Sequence, residues 1–272
     1  MIVYSCFPKG KRKALTMSYD DGVLTDERLV GIFNKYGIKG TFNLNFGRYD
    51  HPGIGRPRIP KEKVKALYEG HEVATHGYSH PTFTRCPIIE VANEIMKDRK
   101  GLEKLTGGLV RGHAYPNGAY NEEIKQLLKQ LGIAYARTVE STGDFSLPED
   151  PLQWNPTCHH NDEKLMEMAE EFIHFSSPGY LKIMYVWGHS YEFDNLDNWD
   201  VIETFCAHVG GREDIWYATN IEIIDYLEAI HNLKFSADNE SVFNPSAISV
   251  WLSVDDRIVE IKGGTYRALS EM

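Results

Sequence analysis

"KALTMSYDDGVLTDERLVGIFNKYG" (residues 13–37) decides the fold. An apolar run from Lys13 to Tyr19 has the look of a strand. It ends in two adjacent aspartates and a glycine. A helical stripe of Leu29, Ile32, Phe33 and Tyr36 then starts near Thr25 and stops at Gly37. This strand–turn–helix pattern recurs along the chain. "GTFNLN", "EVAT", "LVRGHAY", "IAYARTV", "LKIMYVW" and "IWYAT" each precede an amphipathic stretch, about seven β-then-α units in all. Repeated right-handed βα units imply a parallel sheet covered by helices, either open and doubly wound or closed as a barrel.

The placement of the reactive side chains favours the barrel. Asp20, Asp21, His76, His80, Arg111 and His189 are all expected at or just after the C-terminal ends of strands, the rim where a βα-barrel builds its site. The barrel is expected to take up residues 1–232. From Phe235 the pattern turns to short β-like runs around Asp255-Asp256 and Gly263-Gly264, with no helix between them. Residues 233–272 are therefore expected to form a small antiparallel appendage packed on the barrel, since about 40 residues cannot hold a core alone.

Composition narrows the function classes. The 29 basic and 39 acidic residues give a net charge of −10, which argues against broad nucleic-acid or anionic-membrane binding, though a local basic patch could survive it. Cys6, Cys86, Cys158 and Cys206 are far apart with no C-x-x-C pair and are expected as free thiols. The first residues lack the apolar core of a signal peptide, and no run approaches 18 apolar residues. A cytoplasmic protein is expected, with self-association left open.

Asp20 and Asp21 repel each other and serve no packing purpose, so they call for an opposite charge. "HEVATHGYSHP" offers a partner: His76 and His80, with three residues between them, follow a strand, and Pro81 forbids a long helix through them. H-x-x-x-H suits one metal ion, but among 11 histidines such a pair also arises by chance. Two imidazoles plus one carboxylate make a facial triad with open positions, and a divalent cation relieves the repulsion between the acids. One aspartate would then bind the metal and the other would face water. "DDG" as a plain strand-end turn is the blander alternative.

"SYDDG", "HGYSH", "RGHAYPNG" and "IMYVWGH" stand in the order of the motifs of polysaccharide deacetylases, the NodB-homology group of carbohydrate esterases, which the chain resembles over roughly residues 10–232. The resemblance implies a distorted seven-unit (β/α) barrel, an α/β fold. It implies a metal-dependent hydrolase that removes N-acetyl groups from a sugar, oligosaccharide or polysaccharide. By motif, Asp20 would be the general base, and Asp21, His76 and His80 would hold one divalent transition metal, zinc foremost. His189 would be the general acid and Arg111 would orient or charge-balance Asp20. Pro116 and Asn117 would stand where the family places a backbone N–H facing the oxyanion. The family's arginine lies two residues before its proline, whereas Arg111 and Pro116 are five apart. An acid would also tune His189, the candidates being Asp144, Asp150, Glu192 and Asp194. Two alternatives stay open: hydrolysis of another non-peptide C–N bond of cyclic imide or ureide type, and a non-catalytic carbohydrate-binding protein on this scaffold.

Overall fold

The computed structural model describes residues 1–50 and 55–269. Its strands and helices are β1 (Val3–Cys6), β2 (Lys13–Asp20), α1 (Asp26–Tyr36), β3 (Gly40–Leu44), α2 (Lys61–Leu67), β4 (Glu72–Thr75), α3 (Ile88–Thr106), β5 (Gly112–Ala114) and α4 (Glu122–Gln130). They continue with β6 (Tyr135–Arg137), β7 (Cys158–His159), α5 (Leu165–His174), β8 (Lys182–Gly188), α6 (Tyr191–Leu196), α7 (Trp199–Val209), β9 (Ile215–Tyr217) and α8 (Asn220–His231). Five short strands complete the chain: β10 (Lys234–Phe235), β11 (Ser241–Asn244), β12 (Val250–Val254), β13 (Arg257–Ile261) and β14 (Thr265–Ala268).

β2 is the axis of the fold, and all eight of its residues are buried. β8 runs parallel along one edge, from Lys13 opposite Lys182 to Tyr19 opposite Gly188. The other edge is shared: β3 pairs with its last four residues and β9 with its first three. The seventh expected strand is thus a wedge under β3 rather than a full stave. The parallel order is β6-β5-β4-β3-β2-β8-β7. The gap between the outer strands is narrowed by the segment around Trp154, whose N–H donates to Ala136 O at 2.9 Å and whose C=O accepts from Thr138 N at 3.1 Å. The result is a curled, distorted (β/α) barrel.

The helices follow their sequence signals. Gly37 ends α1 in the left-handed conformation at φ 67°, and Asn121 caps α4 by accepting from Ile124 N. Thr25 precedes α1 without a side-chain cap bond, and its hydroxyl bonds Ser190 at 2.7 Å. Leu29, Ile32 and Phe33 lie in one apolar cluster with Leu15, Met17, Phe42 and Phe205, fixing α1 and α7 on the sheet. Tyr115, Trp154, Trp187 and Trp199 are all buried and belong to packing. All four cysteines are free.

The C-terminal strands form two antiparallel sheets, β10-β11-β14 and β1-β12-β13. β1 was not expected there: it pairs with β12 from Val3 opposite Val254 to Cys6 opposite Trp251, so the two ends of the chain meet in one sheet. Asp255 and Asp256 turn β12 into β13, both at positive φ, as a two-residue hairpin loop requires. Tyr226 on α8 fastens this unit to the barrel, donating to Cys6 O and accepting from Trp251 N. Residues 270–272 of the expected appendage lie outside the described residues. Among the described residues no helix is long and apolar enough to cross a membrane.

Candidate active site

Strand ends bring the expected residues together from distant parts of the sequence. Asp20 closes β2, and the chain turns at once through Asp21 (φ 82°) and Gly22 (φ 64°). A Cβ at Gly22 would lie 2.6 Å from Leu44 Cδ2, so only glycine fits this turn. Residues of the next loop lace the turn down: Leu24 N donates to Pro57 O and Ile59 N to Gly22 O, both at 3.0 Å. Arg58 donates to the main-chain oxygen of Asp21 and lies 3.5 Å from its Oδ1. Asp21 sits at positive φ without being glycine, and so does His80 at φ 63°, the kind of strained backbone that clusters at functional sites.

One ligand atom each from Asp21, His76 and His80 lies within 4.8 Å of the others. His76 Nε2 and His80 Nε2 are 3.1 Å apart, about the edge of a tetrahedron with bonds of ~2.0 Å to a central ion. His76 Nδ1 donates to Ala114 O at 2.8 Å, which leaves the Nε2 lone pair free. Burial holds this ring neutral, with its pKa lowered to about 4 despite the neighbouring Asp20. A neutral imidazole whose far nitrogen is tied to a carbonyl is what a metal needs, so the residues present fit a divalent ion.

Asp20 is buried on the same rim, with Oδ2 3.6 Å from His76 Nε2 and 3.9 Å from His189 Nε2. Here one expectation fails. Arg111 does not approach Asp20; it pairs with Asp225 on α8, where both side chains are about one-third exposed. β5 begins at Gly112, so Arg111 precedes its strand and belongs to the opposite end of the barrel. Arg137, closing β6, takes the place beside Asp20: its guanidinium binds Asp20 Oδ2 while stacking on Trp187 at 4.4 Å. Asn43 donates to Asp20 Oδ1 at 2.8 Å. Burial alone would raise the Asp20 pKa, but Arg137, His76 and His189 overcome it and hold the carboxyl well below the usual range.

His189 follows β8. Its Nδ1 lies 3.4 Å from Glu192 Oε1, and its pKa is raised: burial pushes it down, but Glu192 and Asp20 prevail. Of the four acids considered for this contact, Glu192 makes it. Asp194 instead accepts from Trp199 Nε1, Asp150 binds Lys125, and Asp144 accepts from Ser146 N. Pro116 follows β5 against Gly77, and Asn117 sits at φ 57° with its amide donating to Thr82. Proline has no N–H, so Asn117 is the residue of that pair able to offer one.

Two histidines were missed. His159 Nε2 and His160 Nε2 each lie 3.1 Å from Glu192 Oε2. His159, His189 and Glu192 also lie close enough to share an ion, yet the cluster differs from the first in one respect. His159 Nδ1 accepts a hydrogen bond from Asn161 N at 3.2 Å, so its Nε2 carries the proton and faces Glu192 as a donor. That makes Glu192 the acceptor at the centre of an imidazole cluster. Burial would raise its pKa, but His159, His160 and His189 hold it well below the usual range.

The family described as polysaccharide deacetylase matches residues 8–136. Among curated proteins, peptidoglycan-N-acetylglucosamine deacetylase PgdA of Listeria monocytogenes serotype 1/2a is 28% identical over 142 residues, 51% of this chain. The matched stretch is 28% of the length of that relative. A polysaccharide deacetylase-type structure from Mycobacterium smegmatis superposes with a TM-score of 0.60 at 18% identity, covering 84% of this chain and 94% of that one. The allantoinase PuuE gives 0.61 at 14% identity, covering 83% and 93%. At these identities the two structures speak for the fold. The family match over residues 8–136, the motif order and the curved parallel sheet agree, and over that stretch the chain is similar to the polysaccharide deacetylase family.

Proposed function

We propose that this protein is a metal-dependent hydrolase that removes N-acetyl groups from an N-acetylated sugar, oligosaccharide or polysaccharide. The observation that supports it most is the meeting of Asp21, His76 and His80 beside Asp20 and His189 on one barrel rim. A divalent cation held by the first three, zinc foremost, supplies positive charge that acidifies water and polarises an acyl carbonyl. Asp20, kept ionised by Arg137 and Asn43, takes the proton of the attacking water. His189, kept protonated by Glu192, gives a proton to the departing amine nitrogen. The backbone N–H of Asn117 is assigned to the developing oxyanion.

The convergence of one ligand atom each from Asp21, His76 and His80 favours metal assistance over hydrolysis of a cyclic ureide without metal. A non-catalytic binder would need neither this acid–base pair nor its supports.

Two measurements test the reading. Purified wild-type protein is expected to carry a bound transition metal and to release acetate from N-acetylglucosamine oligomers. His76→Ala is expected to lose metal and activity together while circular dichroism shows a folded chain; acetate release that survives the metal loss would sink the ligand assignment. Separately, Glu192→Gln is expected to lower the His189 pKa, because it removes a charge that favours the protonated ring. The protonated form is the active acid and is lost as pH rises, so the alkaline limb of kcat/KM moves to lower pH. An alkaline limb that stays in place would detach Glu192 from His189.

A further inference from the structure

His76 is gripped from a second side, by residues without any assigned role. Asp98 lies on α3, fully buried. Its Oδ2 accepts from His76 N at 2.9 Å and its Oδ1 from Phe46 N at 2.6 Å. On the other face of the same peptide segment, Asn45 Nδ2 donates to His76 O at 2.6 Å and Gly77 O at 2.8 Å. With Nδ1 donating to Ala114 O, the backbone N–H, the backbone C=O and one ring nitrogen of His76 are all fixed, and Nε2 alone is left to act. The surrounding packing allows little slack. A Cβ at Gly101 on α3 would lie 2.2 Å from the Phe46 ring, and one at Gly47 would lie 2.4 Å from Tyr78 O. His80 contrasts with this. It is partly exposed and ends a turn at positive φ.

We infer that Asp98 and Asn45 form a clamp that presets His76 as the fixed member of the ligand set and so determines how tightly the site holds its divalent ion, while His80 is the ligand that adjusts. Asp98 and Asn45 are positioning residues, since neither reaches the ion or a substrate. The physical reason is preorganisation. A ligand ring already in place loses little freedom when the ion arrives, and residues that orient ligands commonly carry about 10–100-fold in metal affinity. A carboxyl group suits the task because both of its oxygens accept, one from each of two loops. Asparagine in its place would turn an NH₂ towards one of those N–H groups, and one bond would be lost.

This inference rests on the metal reading above, and the experiment separates the two. Zn²⁺ dissociation constants would be measured by chelator competition for wild type, Asp98→Asn, Asn45→Ala and Val91→Ala. Val91 is a buried residue of α3 in a different apolar cluster, and it controls for loosening of the helix. Asp98→Asn and Asn45→Ala are expected to weaken zinc binding by about tenfold or more. Val91→Ala, though less stable to heat, is expected to bind as the wild type does. Wild-type affinity in both clamp variants, or an equal loss in Val91→Ala, would overturn the clamp alone. A wild type that holds no ion would overturn the ligand assignment itself. If either clamp variant fails to fold, the other decides, since the two act on opposite sides of one peptide segment.

Discussion

Arg137→Met is expected to cost about 3–5 kcal/mol of folding stability and nearly all activity, while Arg111→Met is expected to cost about 0–1 kcal/mol and leave turnover intact. Both arginines face a carboxylate, so the contrast comes from burial. Arg137 and Asp20 are 1% and 3% exposed at the side chain. Removing the guanidinium strands a buried carboxylate whose ionised state Arg137 does most to maintain. Asp20 would then take up a proton or collapse onto His76, and a protonated acid accepts nothing from water. Arg111 and Asp225 are screened by solvent at the far end of the barrel. Methionine approximates the arginine stem, so packing against Trp187 is partly preserved and the loss can be assigned to charge. Denaturant unfolding with acetate release on the same preparations reads both quantities. An Arg111 variant that loses activity while Arg137→Met keeps it would reverse the assignment.

That correction shows where the sequence was legible. The βα alternation could be read because each long strand runs apolar and each helix carries its stripe and its stop, as with Leu29, Ile32, Phe33 and Gly37. Asp20, Asp21, His76, His80 and His189 could be placed because they follow recognisable strands. Arg111 was misplaced because β5 is only three residues long, and the apolar letters of "LVRGHAY" made the strand seem to start earlier. The signal for Arg137 was present: a single charge inside "IAYARTV" marks either an error in the strand or a buried partner.

Other features left no local trace. β7 is two residues long and shows no periodicity, so nothing hinted that His159 lies in, and His160 just after, the strand that pairs with β8. β1 owes its existence to partners some 250 positions away, as in the 2.8 Å bond from Ile2 N to Asp255 Oδ1, and no window over Val3–Cys6 contains that information. Glu192 lies between these cases. Its i,i+3 spacing from His189 is visible in the sequence, but its choice over Asp194 depends on how α6 is turned, which Trp199 settles by donating to Asp194 at 2.7 Å.

Asp20→Asn is expected to lower acetate release by about 10²–10⁴-fold, the usual reach of a general base. The substitution keeps the shape and lets Asn43 still donate to Oδ1, but it places an amide NH₂ against the Arg137 guanidinium, donor against donor. Some stability therefore goes with the charge, and the rate must be compared at a temperature where both proteins are fully folded. Metal content separates the possible causes. Asp20 is not among the three residues whose ligand atoms converge, so the variant is expected to bind zinc and an N-acetylated oligosaccharide while failing to turn it over. Loss of zinc together with rate would make Asp20 a ligand. Retention of full rate would mean that another group takes the proton, and the nearest candidate is His189, with Nε2 3.9 Å from the Asp20 carboxylate. In that event Glu192→Gln, by lowering the His189 pKa, would extend activity towards acid pH instead of moving the alkaline limb down, so the two variants measured together decide which group removes the proton from water and which delivers one to the amine.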